Sequence, residues 1–492
     1  MKKKLAFIAA LLAAAQLFAC GSEGTAENTS DPVSTTTTEA GGETRLSTLP
    51  ENLNFDKTEV KILYWLGQGE CAYEQTGDIV DDALYNRNIA VEDRLGVKIT
   101  DIERAFTWDT RAEYIDVIRQ SVMAGDDSFD IVSGHYYVMP MLIPDGVLLP
   151  LNETKYINFE NPWWVHGLVE ETAIGGKVYL ASGEISISNI KELSCFFYNK
   201  RLVEEYSIED PYKLVDSGEW TLDKLIKLTS DIYSDLDNDG KKSINDLYGC
   251  YFYNDNAIYP MLTGAGIQLT TLNKDGYPEL TFGTEKMIEV MDKLSDFIQN
   301  AEGSLLPGYV SGFGTGGAGG IDIKNAFANG LGVFTTGLVR DAANIYNAMK
   351  DDFGVLPTPK YDENQEKYLT LLNENCTPFG ITATAKNLDA VSAAMEALCE
   401  ENHYTVSPVY FETALKVKYS RDDESAKMFD LIRESATYDF GRLYGGAAGV
   451  SLSIDIKGAV KNDTSWASTY ASKKDAAKAA IDSFIESVKS LG

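Results

Sequence analysis

The sequence predicts an α/β protein of more than one domain, and three observations carry that prediction. From Val60 onward, β-rich runs alternate with helical stripes, the pattern of a parallel sheet with helices packed on it. The chain has 492 residues, which at roughly 150 residues per domain gives about two to three domains. No repeat of about 20 to 50 residues is visible, which removes solenoids and propellers.

The elements follow in order. Val60-Lys61-Ile62-Leu63-Tyr64-Trp65-Leu66 is the first strand, and Ile79, Ala83, Leu84 and Ile89 give the first helix its near-helical spacing. Val97-Lys98-Ile99 is the second strand. Tyr114, Val117, Ile118 and Val122 share one face of the second helix, and Phe129-Asp130-Ile131-Val132-Ser133 is the third strand. Open sheets of this kind place ligands outside the carboxyl ends of their strands. The first site candidates are therefore Trp65 to Glu70, including Gln68, and His135, Tyr136 and Tyr137. Thr221 precedes the stripe Leu222, Leu225, Ile226, Thr229 and Ile232, which predicts a capped helix ending near Ser234. The last helix carries Ala477, Ala480, Ile481, Phe484, Ile485 and Val488, an apolar stripe that needs a core to dock on.

Charge excludes whole classes of partner. Lys plus Arg number 43 against 74 Asp plus Glu, a net charge of -31 that repels nucleic acid phosphates and anionic headgroups alike. Only three histidines occur, and they match no zinc-protease spacing. Met1 to Ala19 reads as a cleaved targeting segment, with Lys2, Lys3 and Lys4 ahead of an apolar stretch too short to span a bilayer. Its loss takes the net charge from -31 to -34. The polar run that follows, with Thr35 to Thr38 in series, cannot form a core and reads as a tether over residues 20–53. Among Cys71, Cys195, Cys250, Cys376 and Cys399 no C-x-x-C pair appears, so buried free thiols are expected rather than disulfides.

Two motifs bear on chemistry. Asp235-Leu236-Asp237-Asn238-Asp239-Gly240-Lys241-Lys242-Ser243-Ile244-Asn245-Asp246 follows the twelve-position calcium loop: Asp235, Asp237 and Asp239 converge, Gly240 turns, Lys241 offers a carbonyl and Asp246 closes. A structural calcium is the expected cofactor, with aspartate standing at the closing position where glutamate is usual. Gly312 to Gly317 matches a glycine-rich spacing but lacks the strand before and the helix after that a dinucleotide site requires, so it is read as a glycine loop. The 27 tyrosines and 6 tryptophans suit both cores and the apolar faces of sugars.

Several segments, in order, resemble the family 1 extracellular solute-binding proteins, the maltose-binding-type receptors of ABC importers. They are Asp145 to Asn152, Gly176 to Tyr179, Phe197 to Lys200, Glu219 to Asp223, the loop ending in Leu247-Tyr248-Gly249, Ala326 to Gly330, Phe353 to Pro359 and Phe379 to Asn387. Leu17-Phe18-Ala19-Cys20-Gly21 resembles the bacterial lipobox, which implies a lipid on Cys20 and a membrane anchor on the extracytoplasmic face.

The resemblance implies two α/β lobes of the periplasmic-binding type II fold, a hinge crossed near Ala181 to Leu193 and Tyr368 to Pro378, and a ligand cleft between them. It assigns 54–188 and 376–435 to the first lobe, 189–375 to the second, and 436–492 to helices packing across both. It adds Tyr253, Asn254, Asp255, Asn256 and Arg340 to the ligand set, where Gly337-Leu338-Val339-Arg340 replaces the aromatic of maltose-type relatives. The function it implies is a monomeric, non-catalytic receptor that hands an oligosaccharide to ABC permease subunits. The competing reading is a tethered glycan hydrolase or a surface glycan-binding module.

Overall fold

In a computed structural model of the chain, residues 37–38, 44–66, 70–71, 74–309, 320–411, 423–450 and 452–491 are described. Cys20, Gln68 and Gly312 to Gly317 lie outside them.

After a short antiparallel pair, Thr37–Thr38 with Thr44–Arg45, the first part runs β1 (Thr58–Trp65), α1 (Ile79–Leu95), β2 (Val97–Arg104), α2 (Arg111–Ala124), β3 (Ile131–Ser133) and β4 (Leu148–Leu149). Asp78 caps α1 by accepting the Val80 and Asp81 N–H groups at 2.9 and 3.2 Å, and Gly96 ends it at φ 59°, where a Cβ would strike Asn54 Oδ1. β2 runs five residues beyond its expected end at Ile99. Its distal half, Thr100 to Arg104, is polar because it forms the edge of its sheet and needs apolar residues on one face only.

The second part runs β5 (Ser194–Asn199), α3 (Leu222–Thr229), β6 (Tyr233–Ser234), β7 (Leu247–Tyr251), α4 (Glu285–Asn300), β8 (Ser304–Leu305), β9 (Gly332–Leu338), α5 (Val339–Asn344) and β10 (Phe353–Leu356). α3 stops at Thr229, short of the expected Ser234. Thr229 and Ser230 hydroxyls bond back to the Leu225 and Ile226 carbonyls, and Tyr233–Ser234 pairs with β7 instead. The chain then returns through β11 (Phe379–Thr382), α6 (Leu388–Glu401), α7 (Asp423–Glu434) and α8 (Trp466–Lys489).

Two sheets result. The first has the order β2-β1-β3-β11-β4, with β1 parallel to β2 and β3 and the returning β11 antiparallel to β3 and β4. The second has the order β8-β7-β9-β5-β10, with β6 beside β7. The alternation of strand and helix accounts for the parallel pairs; the antiparallel ones involve β5 and β11, which arrive from the other sheet, and the local pair β6–β7. Between the sheets two segments run side by side: Ala181 bridges Phe379, and Leu193 bridges Leu372.

Two boundaries drawn from the sequence need correction. The tether ends before residue 53. Arg45 pairs with Glu401 at 3.2 Å, Ser47 donates to Glu400 at 2.7 Å and Leu49 is buried, so this stretch docks on α6. α7, placed with the first lobe, packs instead on β10 of the second sheet through Met428, Phe429 and Ile432, and Ser425 bonds Tyr212 at 2.8 Å. The α8 stripe packs on α4, and Leu491 beyond it lies against Gly146 of the first part. Cys195, Cys250, Cys376 and Cys399 are buried free thiols.

Candidate functional site

The carboxyl ends of β1, β2 and β3 deliver an aromatic cluster to one place. Trp65 meets Phe106 and His135 edge-on at 5.2 and 5.4 Å, and Phe106 stacks on His135 at 5.6 Å. Trp108, in the loop after β2, lies 5.8 Å from His135 and 5.7 Å from Tyr137. His135 Nδ1 accepts the Tyr137 N–H at 3.1 Å, which leaves the proton on Nε2. Burial pushes the imidazole down to about 4, so it is neutral at physiological pH.

Three of the expected ligand residues sit behind this surface. Trp65 is 4% exposed and donates from Nε1 to Thr377 Oγ1 at 2.9 Å. Glu70 accepts from Thr377 Oγ1 at 2.5 Å and from Ser186, so these two residues tie β1 to both crossing segments. Burial raises the Glu70 carboxyl above its ordinary value against those bonds. Tyr136 is 2% exposed and stacks on Tyr438 at 4.7 Å. Removing Trp65 or Tyr136 would therefore test the core, not the ligand.

The second lobe presents a cavity of about 500 Å³ beside the crossing segments. Five asparagines line it, Asn254, Asn256, Asn344, Asn373 and Asn375, together with Tyr253 and Arg340. Of the expected set, Asp255 is turned away toward Lys457 at 3.1 Å and Tyr309 at 3.4 Å. The cavity's cations are neutralised: Arg340 pairs with buried Glu192, and Lys324 with buried Asp341 at 2.7 Å. Burial lifts Glu192 to about 7, with Arg340 pulling the other way.

Glu374 lies between Asn373 and Asn375 on the second crossing segment. It accepts from Asn256 at 3.1 Å and from buried Arg442 at 2.9 Å, and its charge is felt by His135, Tyr136, Tyr137 and Tyr253. Glu374, its flanking asparagines and Trp108 were not among the sequence candidates. Trp108 was legible in principle, since it follows a strand end, but only once β2 is carried to Arg104. A larger groove of about 970 Å³ runs between the 270–280 hairpin and α8; its lining includes neither strand ends of the first sheet nor crossing segments, so volume alone does not mark the site.

The aspartate loop gathers as expected at three of its positions. Single carboxylate oxygens of Asp235, Asp237 and Asp239 lie within 4.8 Å of one another, and Gly240 turns at φ 72°. Asp235 Oδ1 is buried with no hydrogen bond, which fits a cation ligand. Asp246 departs from expectation. It is fully buried and accepts the Leu236 and Ser243 N–H groups at 3.2 and 2.7 Å, so it braces the loop backbone rather than joining the three. Lys241 lies on the exposed turn, its N–H bonded to Asp239 at 2.7 Å.

No protein-family model matches the chain, and no curated protein matches it by sequence. Solved structures do match. The cyclic alpha-maltosyl-1,6-maltose binding protein from Arthrobacter globiformis aligns with a TM-score of 0.57 and 16% identity over 87% of this chain and 99% of its own. The GacH receptor of Streptomyces glaucescens, solved unliganded and with acarbose, gives 0.53 and 15% over 87% and 99%. UgpB from Mycobacterium tuberculosis, in complex with glycerophosphocholine, gives 0.53 and 16% over 86% and 99%. The chain thus has the two-lobed α/β fold of substrate-binding proteins, which is what likeness at these identities shows.

Proposed function

We propose that this chain is an extracytoplasmic receptor, without catalysis of its own, that encloses a neutral oligosaccharide between its lobes and passes it to an ABC importer. The observation that carries the reading is the cavity rimmed by five carboxamides whose two cations are each cancelled by a buried carboxylate. Carboxamides both donate and accept, as hydroxyl-rich ligands require, and a site with no net charge to offer discriminates against ions. The aromatic ledge of Trp108 and Tyr137 on the opposite lobe supplies planar faces for sugar rings. Two of the similar structures are of proteins named for, or solved with, saccharide ligands. A thermal-shift panel of neutral saccharides, peptides and organic anions tests it; only saccharides should raise the melting temperature.

Anchoring through an acylated Cys20 belongs to the same proposal. Among the described residues no helix is long and apolar enough to cross a membrane. Mass spectrometry of the mature N-terminus should find a lipidated cysteine, and Cys20→Ser should release or stall the chain; an unmodified N-terminus elsewhere would refute the anchor.

The Asp235–Asp237–Asp239 loop is further proposed to hold one structural calcium. The Asp237 carboxyl lies above its ordinary value: the Asp239 N–H lowers it, but desolvation and the neighbouring carboxylates outweigh that, a repulsion a cation would relieve. At a hundred times its dissociation constant the ion would add about 2.7 kcal/mol. A chelator should then lower the melting temperature; no change on chelation, with no metal by elemental analysis, would leave the loop a simple turn.

A further inference from the structure

We infer that Trp108 is an outer stacking platform, so that the ligand is an elongated oligosaccharide reaching past the enclosed cavity to the rim of the first lobe. This rests on the saccharide reading above and specifies its substrate class.

Of the chain's 6 tryptophans, Trp65, Trp163, Trp164, Trp220 and Trp466 are at most 4% exposed, whereas Trp108 is 51% exposed. Exposing so large an indole costs hydrophobic free energy that a purely structural residue would not forgo. It is not loosely held. The Arg111 guanidinium lies 4.6 Å from its ring centroid and also donates to the Trp108 carbonyl. Thr107 and Thr110 clamp the loop around it, each side chain bonding the other's N–H at 3.0 and 3.2 Å. A rigid aromatic face with its ordering cost already met is what ring stacking needs.

Its position continues the site. Trp108 touches Tyr137 and His135, both within the field of Glu374, whose other oxygen neighbour Asn256 lines the second-lobe cavity. The flanking residues Thr107, Asp109 and Thr110 are polar, and of the rings around it Phe106 and Tyr137 are half-buried and His135 buried, so the exposed face is mainly the indole's own and not an extended apolar patch of the kind that docks a protein.

The test is calorimetric titration of neutral linear oligosaccharides, from monosaccharide to heptasaccharide, into the wild type, Trp108→Ala and Trp108→Phe. Affinity should rise at the length that first reaches Trp108. Trp108→Ala should cancel that rise, about tenfold, and leave shorter ligands unchanged, while Trp108→Phe restores part of it. Quenching of tryptophan emission by acrylamide supplies a second readout. The accessible fraction should vanish in Trp108→Phe and be protected in the wild type by long ligands only. Saccharide binding that Trp108→Ala weakens equally at every length, or at none, overturns the platform while sparing the receptor reading. Silence from every saccharide overturns both.

Discussion

Glu396→Ala should lower the unfolding free energy by about 4 kcal/mol, seen as a lower denaturant midpoint at unchanged slope. Glu396 is fully buried in the alanine-rich α6. Its two oxygens take four donors: Asn161 Nδ2 at 2.5 Å, Trp163 Nε1 at 2.9 Å, Trp164 Nε1 at 3.0 Å and the Asn158 N–H at 3.2 Å. Alanine strands all four, and each orphaned buried donor costs about 1–3 kcal/mol before relaxation and entering water repay part of it. Glu396→Gln keeps the volume and one acceptor and should lose roughly half as much. A loss below about 1 kcal/mol for the alanine variant would show that the donors find other partners and that this cluster does not hold the 158–164 loop to α6.

Stability should rise as pH falls from 8 to about 5. Burial lifts Glu171 and Glu396 to about 7 and Asp439 to about 6. A carboxyl raised in the folded state binds its proton more tightly there. Its contribution is complete below the unfolded value, 4.5 for glutamate and 3.8 for aspartate, and is lost as pH rises through 6 to 7. His135, pushed down to about 4, works in the opposite sense: below about 6.5 the unfolded chain takes up a proton that the fold refuses, which offsets part of this gain as pH drops toward 4. Acidification also relieves the self-repulsion of a chain at -31. Between pH 5.5 and 8 the loss should be on the order of several kcal/mol. Melting temperatures across pH 4 to 8 would decide it, and a maximum at pH 7 to 8 would mean these carboxyls are ionised in the fold.

The first three strands and their order were legible because short, continuous β-rich runs between helical stripes report directly on local backbone, as in Val60 to Trp65, which is almost wholly buried. What was not legible were facing directions. Trp65, Tyr136 and Trp108 all follow strand ends, yet two are core and one is exposed, a difference set by packing partners such as Tyr438 that are hundreds of residues away. Asp246 fits its motif position but is claimed by local N–H groups. Asn373-Glu374-Asn375 carries no motif at all; its meaning comes from bonding Asn256 and Arg442, both far away in sequence. The placement of α7 on the second sheet likewise depends on where the chain crosses, which periodicity cannot report.

The central claim is closure of two lobes on a neutral saccharide, and small-angle scattering tests it most directly. The radius of gyration should fall when the oligosaccharide giving the largest thermal shift is added, and should not move with peptides or organic anions. Contraction on adding a peptide or an anion, with every saccharide inert, would contradict it.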